Sequence, residues 1–395
     1  MKLQPSDSDT NDCGTPGSPP RTLSPFLLSG LLAVVIAAGL VFLPSPLSAQ
    51  DRPAAVIAAD ASIFAISQNN QLVYAVPHLK RVKKIMIQRD DIVTADFDGR
   101  EKKIVEPDKF MPVPPPTSYV VRQLAISPDG KRVAATMMVF TATQPEDAEE
   151  DDAKHKKEAP YSMPSKGEQV VALFDDDGRE ISVAGSKNRF IQDGSDAAWL
   201  SDDQTAVYLT GIGPYKIVRV KPGDGKSFTL FEGHSFDTVV WDTARNQAFA
   251  LGRSLSLSGR TELVQLDLVN ETVHEIARVP DYQSQLTVSS SGQEIGYRVD
   301  GDTIEVRDLA HPLQPTRVRT GPGKFQFTRD GNHILLKRGA LDGSGDLIWI
   351  GLHDNSWVPI LHDLEFHDFQ IAPDGSAIVV MDPGKGMLKI FRQGG

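Results

Sequence analysis

Leu124-Ala125-Ile126-Ser127-Pro128-Asp129-Gly130 sets a tight turn directly after an apolar, strand-like run, and Phe369-Gln370-Ile371-Ala372-Pro373-Asp374-Gly375 repeats that arrangement near the other end of the chain. Pro presets φ at the second turn position, Asp bonds its own backbone, and Gly takes the positive φ that returns the chain into the next strand. A second apolar run follows each copy, Val133-Ala134-Ala135-Thr136-Met137 in one and Ala377-Ile378-Val379-Val380 in the other. Near-continuous apolar runs of this kind suit strands covered on both faces. Ser127, Pro128, Asp129, Gly130, Asp330, Gly331, Pro373, Asp374 and Gly375 are therefore read as turn residues with no catalytic role.

Five degenerate copies align with these two. The residues preceding the turns are Ile66, Ile126, Leu200, Trp241, Val288, Phe327 and Ile371, at intervals of 60, 74, 41, 47, 39 and 44. The two long intervals contain extra loop: Pro107 and the proline-rich stretch 112–116 in the first, and a polar insert at 141–169 in the second. A period of about 40 to 45 residues without a helix-sized amphipathic stretch marks a β-propeller, one four-stranded blade per repeat. The fold expected is all-β, a propeller of seven blades; six remain open if the first, poorly spaced unit is not a blade. Asp175-Asp176-Asp177-Gly178 and Phe97-Asp98-Gly99 fall where a third strand turns into a fourth. The last repeat ends at Met387-Leu388-Lys389-Ile390-Phe391, one strand short, and Ala54-Ala55-Val56-Ile57-Ala58-Ala59 is the candidate to complete it. Such a donor strand would remove an exposed sheet edge.

The 395 residues include 27 Pro and 32 Gly and carry a net charge of −11, which argues against binding a phosphate backbone. Residues 1–25 form a polar leader, 26–49 an export segment and 50–395 the propeller. Phe26 to Leu43 is apolar except for Ser29, and Pro44-Ser45-Pro46 and Leu47-Ser48-Ala49-Gln50 follow. The small residue after helix-breaking prolines suits cleavage between Ala49 and Gln50. The apolar run is also long enough to be a retained membrane anchor, and its leader offers only Lys2 and Arg21 against Asp7, Asp9 and Asp12. Either outcome places residues 50–395 outside the cytoplasm, periplasmic or secreted, with membrane contact only through 26–43. The single cysteine, Cys13, precedes the apolar run, so the exported part has no thiol.

The Ser-Pro-Asp-Gly turns and Asp-x-Asp-Gly hairpins resemble the WD40-like repeats of TolB-type periplasmic propellers over roughly residues 60–392. Gly233-His234 before Val239-Val240 looks like the opening of a WD repeat in one blade, while Trp241-Asp242 sits at the turn instead of at the repeat's end. The α/β domain that precedes the TolB propeller has no counterpart between Ala49 and the first blade. No Gly-x-Ser-x-Gly nucleophile elbow occurs, which argues against the peptidase relatives of this propeller.

Other chemistry-bearing clusters are sparse. His353, His362 and His367, with Asp354, Asp363 and Asp368, are weak metal candidates whose spacing matches no ligand motif. Asp342-Gly343-Ser344-Gly345-Asp346 alternates oxygen ligands but lacks the closing Glu of a calcium loop. The acidic and then basic run Glu146–Asp152 and Lys154–Lys157 has too little apolar surface to order itself and reads as a surface loop. The function expected is a non-enzymatic extracytoplasmic scaffold that needs no cofactor or metal and binds another envelope or secreted protein, not nucleic acid. A lactonase-like hydrolase with a site at the channel mouth and a membrane-tethered sensor are the alternatives.

Overall fold

The chain divides into two compact units, Met1–Leu43 and Pro44–Gly395. The computed structural model describes residues of the second unit, 53–392, apart from 59, 83–84, 106–116, 142–166, 176, 182–190, 212–213, 223–225, 254–260, 280–283, 340–343 and 383–384. The cleavage site at Ala49 and Gln50 and the apolar run 26–43 lie outside these residues.

In chain order the strands are β1 (Ala55–Ala58), β2 (Ile63–Ile66), β3 (Leu72–Val82), β4 (Ile85–Ala95), β5 (Glu101–Val105), β6 (Thr117–Ile126), β7 (Val133–Thr141), β8 (Gly167–Phe174) and β9 (Ile191–Gln192). They continue as β10 (Gly194–Trp199), β11 (Ala206–Thr210), β12 (Lys216–Lys221), β13 (Lys226–Leu230), β14 (Phe236–Asp242), β15 (Gln247–Arg253), β16 (Thr261–Asp267) and β17 (Thr272–Arg278). The remainder are β18 (Ser284–Val288), β19 (Glu294–Arg298), β20 (Thr303–Asp308), β21 (Thr316–Arg319), β22 (Phe325–Phe327), β23 (His333–Gly339), β24 (Ser344–Gly351), β25 (Trp357–Glu365), β26 (Asp368–Ile371), β27 (Ala377–Asp382) and β28 (Met387–Arg392). Six sheets result: β2–β9 form blade 1, β10–β13 blade 2, β14–β17 blade 3, β18–β21 blade 4, β22–β25 blade 5, and β26–β28 with β1 blade 6.

The all-β propeller holds, and the count of seven blades is corrected to six. The first two repeats share one eight-stranded sheet. The reason lies in β4, which is eleven residues long. Strand β5 pairs only with Ile92–Ala95, so the other half of β4 is an open edge. Strand β6 meets that edge in parallel at Arg89↔Tyr119. The contact is reinforced by side chains: the Asp90 carboxylate accepts the Val121 N–H at 2.7 Å, and Ser118 Oγ accepts the Gln88 N–H at 3.2 Å. Pairing an open strand edge satisfies backbone groups that would otherwise need water.

Strand β1 does pair with β28, antiparallel from Ala55↔Ile390 to Ala58↔Met387, so an N-terminal strand completes the last sheet of a six-bladed ring. Apolar clusters join each blade to the next. One of them unites Ile57, Phe64 and Tyr74 with Val379 and Ile390, connecting blade 6 to blade 1. A further cluster lies inside blade 1, between its two halves, and includes Val73, Ile92, Tyr119 and Val133. The apolar runs after the turns supply these cores: Ala248, Phe249, Ala250 and Leu251 are fully buried. Burial of each large side chain stabilises by about 1.5–3 kcal/mol.

Blade 4 also holds a buried polar cluster. Glu305 accepts hydrogen bonds from Tyr297 and Arg307 through Oε1 and from Arg317 at 2.9 Å through Oε2. Arg307 also donates to the Tyr297 hydroxyl at 2.8 Å. Burial alone would raise the Glu305 carboxyl, but the Tyr297 hydrogen bond and the two guanidiniums hold it below its ordinary value.

Candidate functional site

The repeated turns share one geometry. In the Ser127–Gly130 copy, Ser127 N–H donates to Arg132 O and Gly130 N–H to Ser127 O, each at 2.8 Å. The fourth position is left-handed in every copy, with φ of 61° at Asn70, 76° at Gly130, 56° at Asp203, 52° at Asn246, 68° at Gly292, 69° at Gly331 and 73° at Gly375. Gly, Asn and Asp are the residues that tolerate this region, which is why the degenerate copies remain turns. Each copy follows the innermost strand of its repeat, so antiparallel alternation brings all of them to one end of the ring. The Phe97–Gly99 turn joins β4 to β5, with Gly99 N–H donating to Asp96 O at 3.0 Å; after β8, Gly178 N–H donates to Asp175 O at 3.0 Å and the chain bridges back from Glu180 to Phe174, while residues 182–190, before β9, lie outside the described residues.

At that end the turns bond to one another. Asn69 Nδ2 donates to Asp129 O at 3.0 Å, and Asp129 N–H to Asp203 Oδ1 at 2.9 Å. Ser201 N–H donates to Asn246 Oδ1 at 2.8 Å, and Arg245 Nη2 to Ser290 O at 2.9 Å. Ser290 Oγ donates to Arg329 O at 3.0 Å, Arg329 Nη1 to Asp374 O at 2.7 Å, and Asn70 Nδ2 to Asp374 Oδ2 at 2.5 Å. The series returns to its starting turn, forming a closed belt. Its members Asn69, Asn70, Asp203, Asn246, Arg245, Ser290 and Arg329 were not singled out by sequence. Asn70, Asp203 and Asn246 fall at the left-handed turn position, which Asn and Asp tolerate, and the other four carry no local signal.

Inside the belt lies the mouth of the central channel, a cavity of about 600 Å³ whose lining includes Gln68, Trp241, Asp242, Ser290, Arg329 and Asp374. Trp241 is held in place by its Nε1–H, which donates to Asp196 O at 2.9 Å. Asp242 is committed to Arg245 at 3.1 Å and Gln247 at 2.7 Å. Below the mouth, glutamines lace the innermost strands: Gln370 Nε2 donates to Phe64 O at 3.0 Å, and Gln326 Oε1 accepts the Ile371 N–H at 3.1 Å. Asp196 sits at a bulge in β10 with φ of 46°. Burial pushes its carboxyl upward against opposing hydrogen bonds from Gln123 and Trp241.

The histidines are not brought together. His353 lies on the turn between β24 and β25, at the same end as the belt, whereas His367 lies on the crossover into β26 at the other end. His362 stands 3.6 Å from Asp346. Asp354 accepts from Ser356 of its own turn at 2.8 Å, and Asp368 pairs with Lys324. Asp342 and Gly343 lie outside the described residues, and Asp346 is bonded to Arg338 at 3.0 Å. Among the described residues no group of three or more His, Cys, Asp or Glu is placed to hold a metal ion. The insert expected at 141–169 begins and ends in strand, since β7 runs to Thr141 and β8 starts at Gly167; the charged run between them lies outside the described residues.

No protein-family model and no curated protein matches the sequence. Solved structures do resemble the fold. The β-propeller domain of Cps50 (Swd1) from Myceliophteria thermophila aligns with a TM-score of 0.54 at 11% identity, over 86% of this chain and 99% of that domain. A chain of a mitotic checkpoint complex aligns with a TM-score of 0.52 at 12% identity, over 87% of this chain and 94% of its own length. The chain is a WD40-like β-propeller in architecture. The TolB-type resemblance finds no family match to support it.

Proposed function

We propose that this propeller is an exported scaffold that binds a protein partner at the belted end of its ring. The observation that carries the reading is the closed belt around the 600 Å³ mouth. It holds turn side chains of differing chemistry in fixed positions, and preorganisation of this kind lowers the ordering cost of association. The mouth mixes an aromatic anchor, Trp241, with Arg329, a composition enriched where partners make their strongest contacts. Export rests on the apolar run and Ala49–Gln50 boundary of the sequence, and N-terminal sequencing of the mature protein should return Gln50.

The test is affinity purification of the chemically cross-linked protein from its native host, followed by binding of the partner to variants. Gln68→Arg and Ala244→Arg, both exposed at the mouth, should weaken binding more than tenfold. Leu79→Arg, on the exposed β3–β4 hairpin at the other end, should leave it unchanged. The opposite pattern would place the working surface on the far end and end this reading.

A further inference from the structure

The hairpin of β3 and β4 outruns the rest of blade 1. Pairing of β2 with β3 ends at Ile63↔Ala75, and β5 covers β4 only as far as Ile92, so Val76–Val82 and Ile85–Asp91 continue as a two-stranded ribbon. Strand β6 meets the ribbon at Arg89↔Tyr119 and begins at Thr117, level with Ile87. Among the described residues no strand flanks the tip beyond that point. The tip points away from the belt, because β3 leaves the Ser67–Asn70 turn and runs to the opposite end.

Cross-strand partners share a face, so Leu79 and Gln88 stand with Arg81 and Met86 on one side of the ribbon. On that side Leu79 is 70% exposed and Met86 39%. Ile87, on the opposite side, is buried. The charge around the exposed pair is of one sign. From His78 to Arg89 the sequence holds Lys80, Arg81, Lys83, Lys84 and Arg89 and no acid, in a chain whose net charge is −11. Lys80 and Arg81 are exposed, while Lys83 and Lys84 lie outside the described residues. The acids that follow are not displayed at the tip. Asp90 is fully buried and accepts from Gln88 Nε2 at 2.9 Å and Val121 N–H at 2.7 Å, and Asp91 faces His78 Nε2 at 3.0 Å.

Projecting apolar side chains beside cations suit an anionic bilayer, whose headgroup region accepts both: the apolar groups enter it and the cations lie at the lipid phosphates. A soluble partner is matched less well, since a stable protein interface buries about 1,200–2,000 Å² in all and a tip two strands wide offers a fraction of that. We propose that the tip of the β3–β4 hairpin docks on the surface of an anionic lipid bilayer, with Leu79 and Met86 entering the interface and Lys80 and Arg81 at the phosphates. This contact is separate from residues 26–43 and goes beyond the partner surface, which lies at the other end of the ring.

Gln50–Gly395 contains every strand of the ring and no cysteine, so the exported form is tested free of the apolar run 26–43 and is labelled at a single introduced thiol. It is mixed with vesicles of phosphatidylglycerol and phosphatidylcholine in equal parts, or of phosphatidylcholine alone. Cosedimentation with the anionic vesicles only, falling as salt is raised, is expected. Arg81→Glu and, separately, the pair Leu79→Ser and Met86→Ser should each weaken it more than tenfold. These side chains are exposed, so an unchanged melting temperature serves to show an intact fold. An environment-sensitive fluorophore on Met86→Cys should shift to the blue on anionic vesicles, and the same dye on Gln68→Cys, at the belted end, should not. No binding to anionic vesicles, equal binding to both lipids, binding undiminished by either variant, or an equal dye response at the two positions would overturn the docking. Binding seen only after deletion of 146–152 would also overturn it, by assigning the tip to that acidic run of the same chain. Loss of a soluble acidic partner in the hairpin variants, with no vesicle binding by the unaltered protein, would overturn it in favour of a protein contact.

Discussion

The two ends of the ring hold neighbouring blades together by opposite means. At the belted end the links are many, short-sided and partly exposed: Asn, Asp, Ser and Arg side chains bonding one turn to the next. At the other end each joint on either side of blade 5 holds a buried cation. Arg298, 4% exposed at the end of β19, donates to Gly301 O at 3.1 Å, Gly321 O at 3.0 Å and Gly323 O, and lies 5.7 Å from the Phe325 ring. It thereby ties blade 4 to the crossover entering blade 5. Lys337, 1% exposed, donates to Phe366 O at 2.7 Å and sits 4.6 Å from the Phe366 ring, tying blade 5 to the crossover entering blade 6. A distributed belt tolerates loss of one member, whereas a buried cation leaves several carbonyls unpaired when it goes.

That contrast can be broken by experiment. The largest effect should come from neither end but from the closure they both depend on. Deleting residues 51–60 removes β1 and buried Ile57, exposing the β28 edge, and should lower the melting temperature sharply or cause aggregation; an unchanged melting curve would refute the closing role of β1. Next, Arg298→Ala should cost about 4 kcal/mol in chemical denaturation, from unpaired carbonyls and a new cavity. Glu305→Gln should cost about 3 kcal/mol at neutral pH by leaving Arg307 uncompensated. Its pH dependence has a definite sign. Because the folded carboxyl lies below the ordinary value of 4.5, its contribution is present above that pH and is lost as the pH falls through the folded value. Urea unfolding of wild type and Glu305→Gln should therefore converge on acidification.

Smaller effects test the belt. Gly130→Ala should destabilise by about 1–2 kcal/mol, since φ is 76° there and an added Cβ would run into the Gln71 side chain. Ser290→Ala removes one link, the Oγ donor to Arg329 O, and should cost under about 1 kcal/mol in the same assay. Should Ser290→Ala prove as costly as Arg298→Ala, the distinction between a distributed and a concentrated joint would be lost.

Much of the fold was legible because its signals are local. The Ser127–Gly130 and Ala372–Gly375 turns, the apolar second strands and even the missing strand of the last blade could be read from neighbouring residues. The fusion within blade 1 was not. It depends on how far β4 extends past β5 and on Asp90 reaching Val121, thirty-one positions away, neither of which has a periodic mark. The candidate site was legible in part. Asp129, Asp374 and Gly375 were assigned to turns, but their bonding across blades involves partners such as Asn70 and Asp374 that are 304 positions apart. Buried Arg298 and Lys337 carry no warning in sequence, because a cation in an apolar strand looks like any solvent-facing position until the carbonyls that surround it are known.

The sequence by itself determined the repeating hairpins, the all-β class and the strand left over for closure, since turn chemistry and side-chain alternation act over a few residues. Only the tertiary structure decided that six sheets make the ring and that the turns join into one belt. Those features arise when blades distant in sequence are brought edge to edge, and hydrogen bonds at 3 Å between them depend on the closed ring and not on any one repeat.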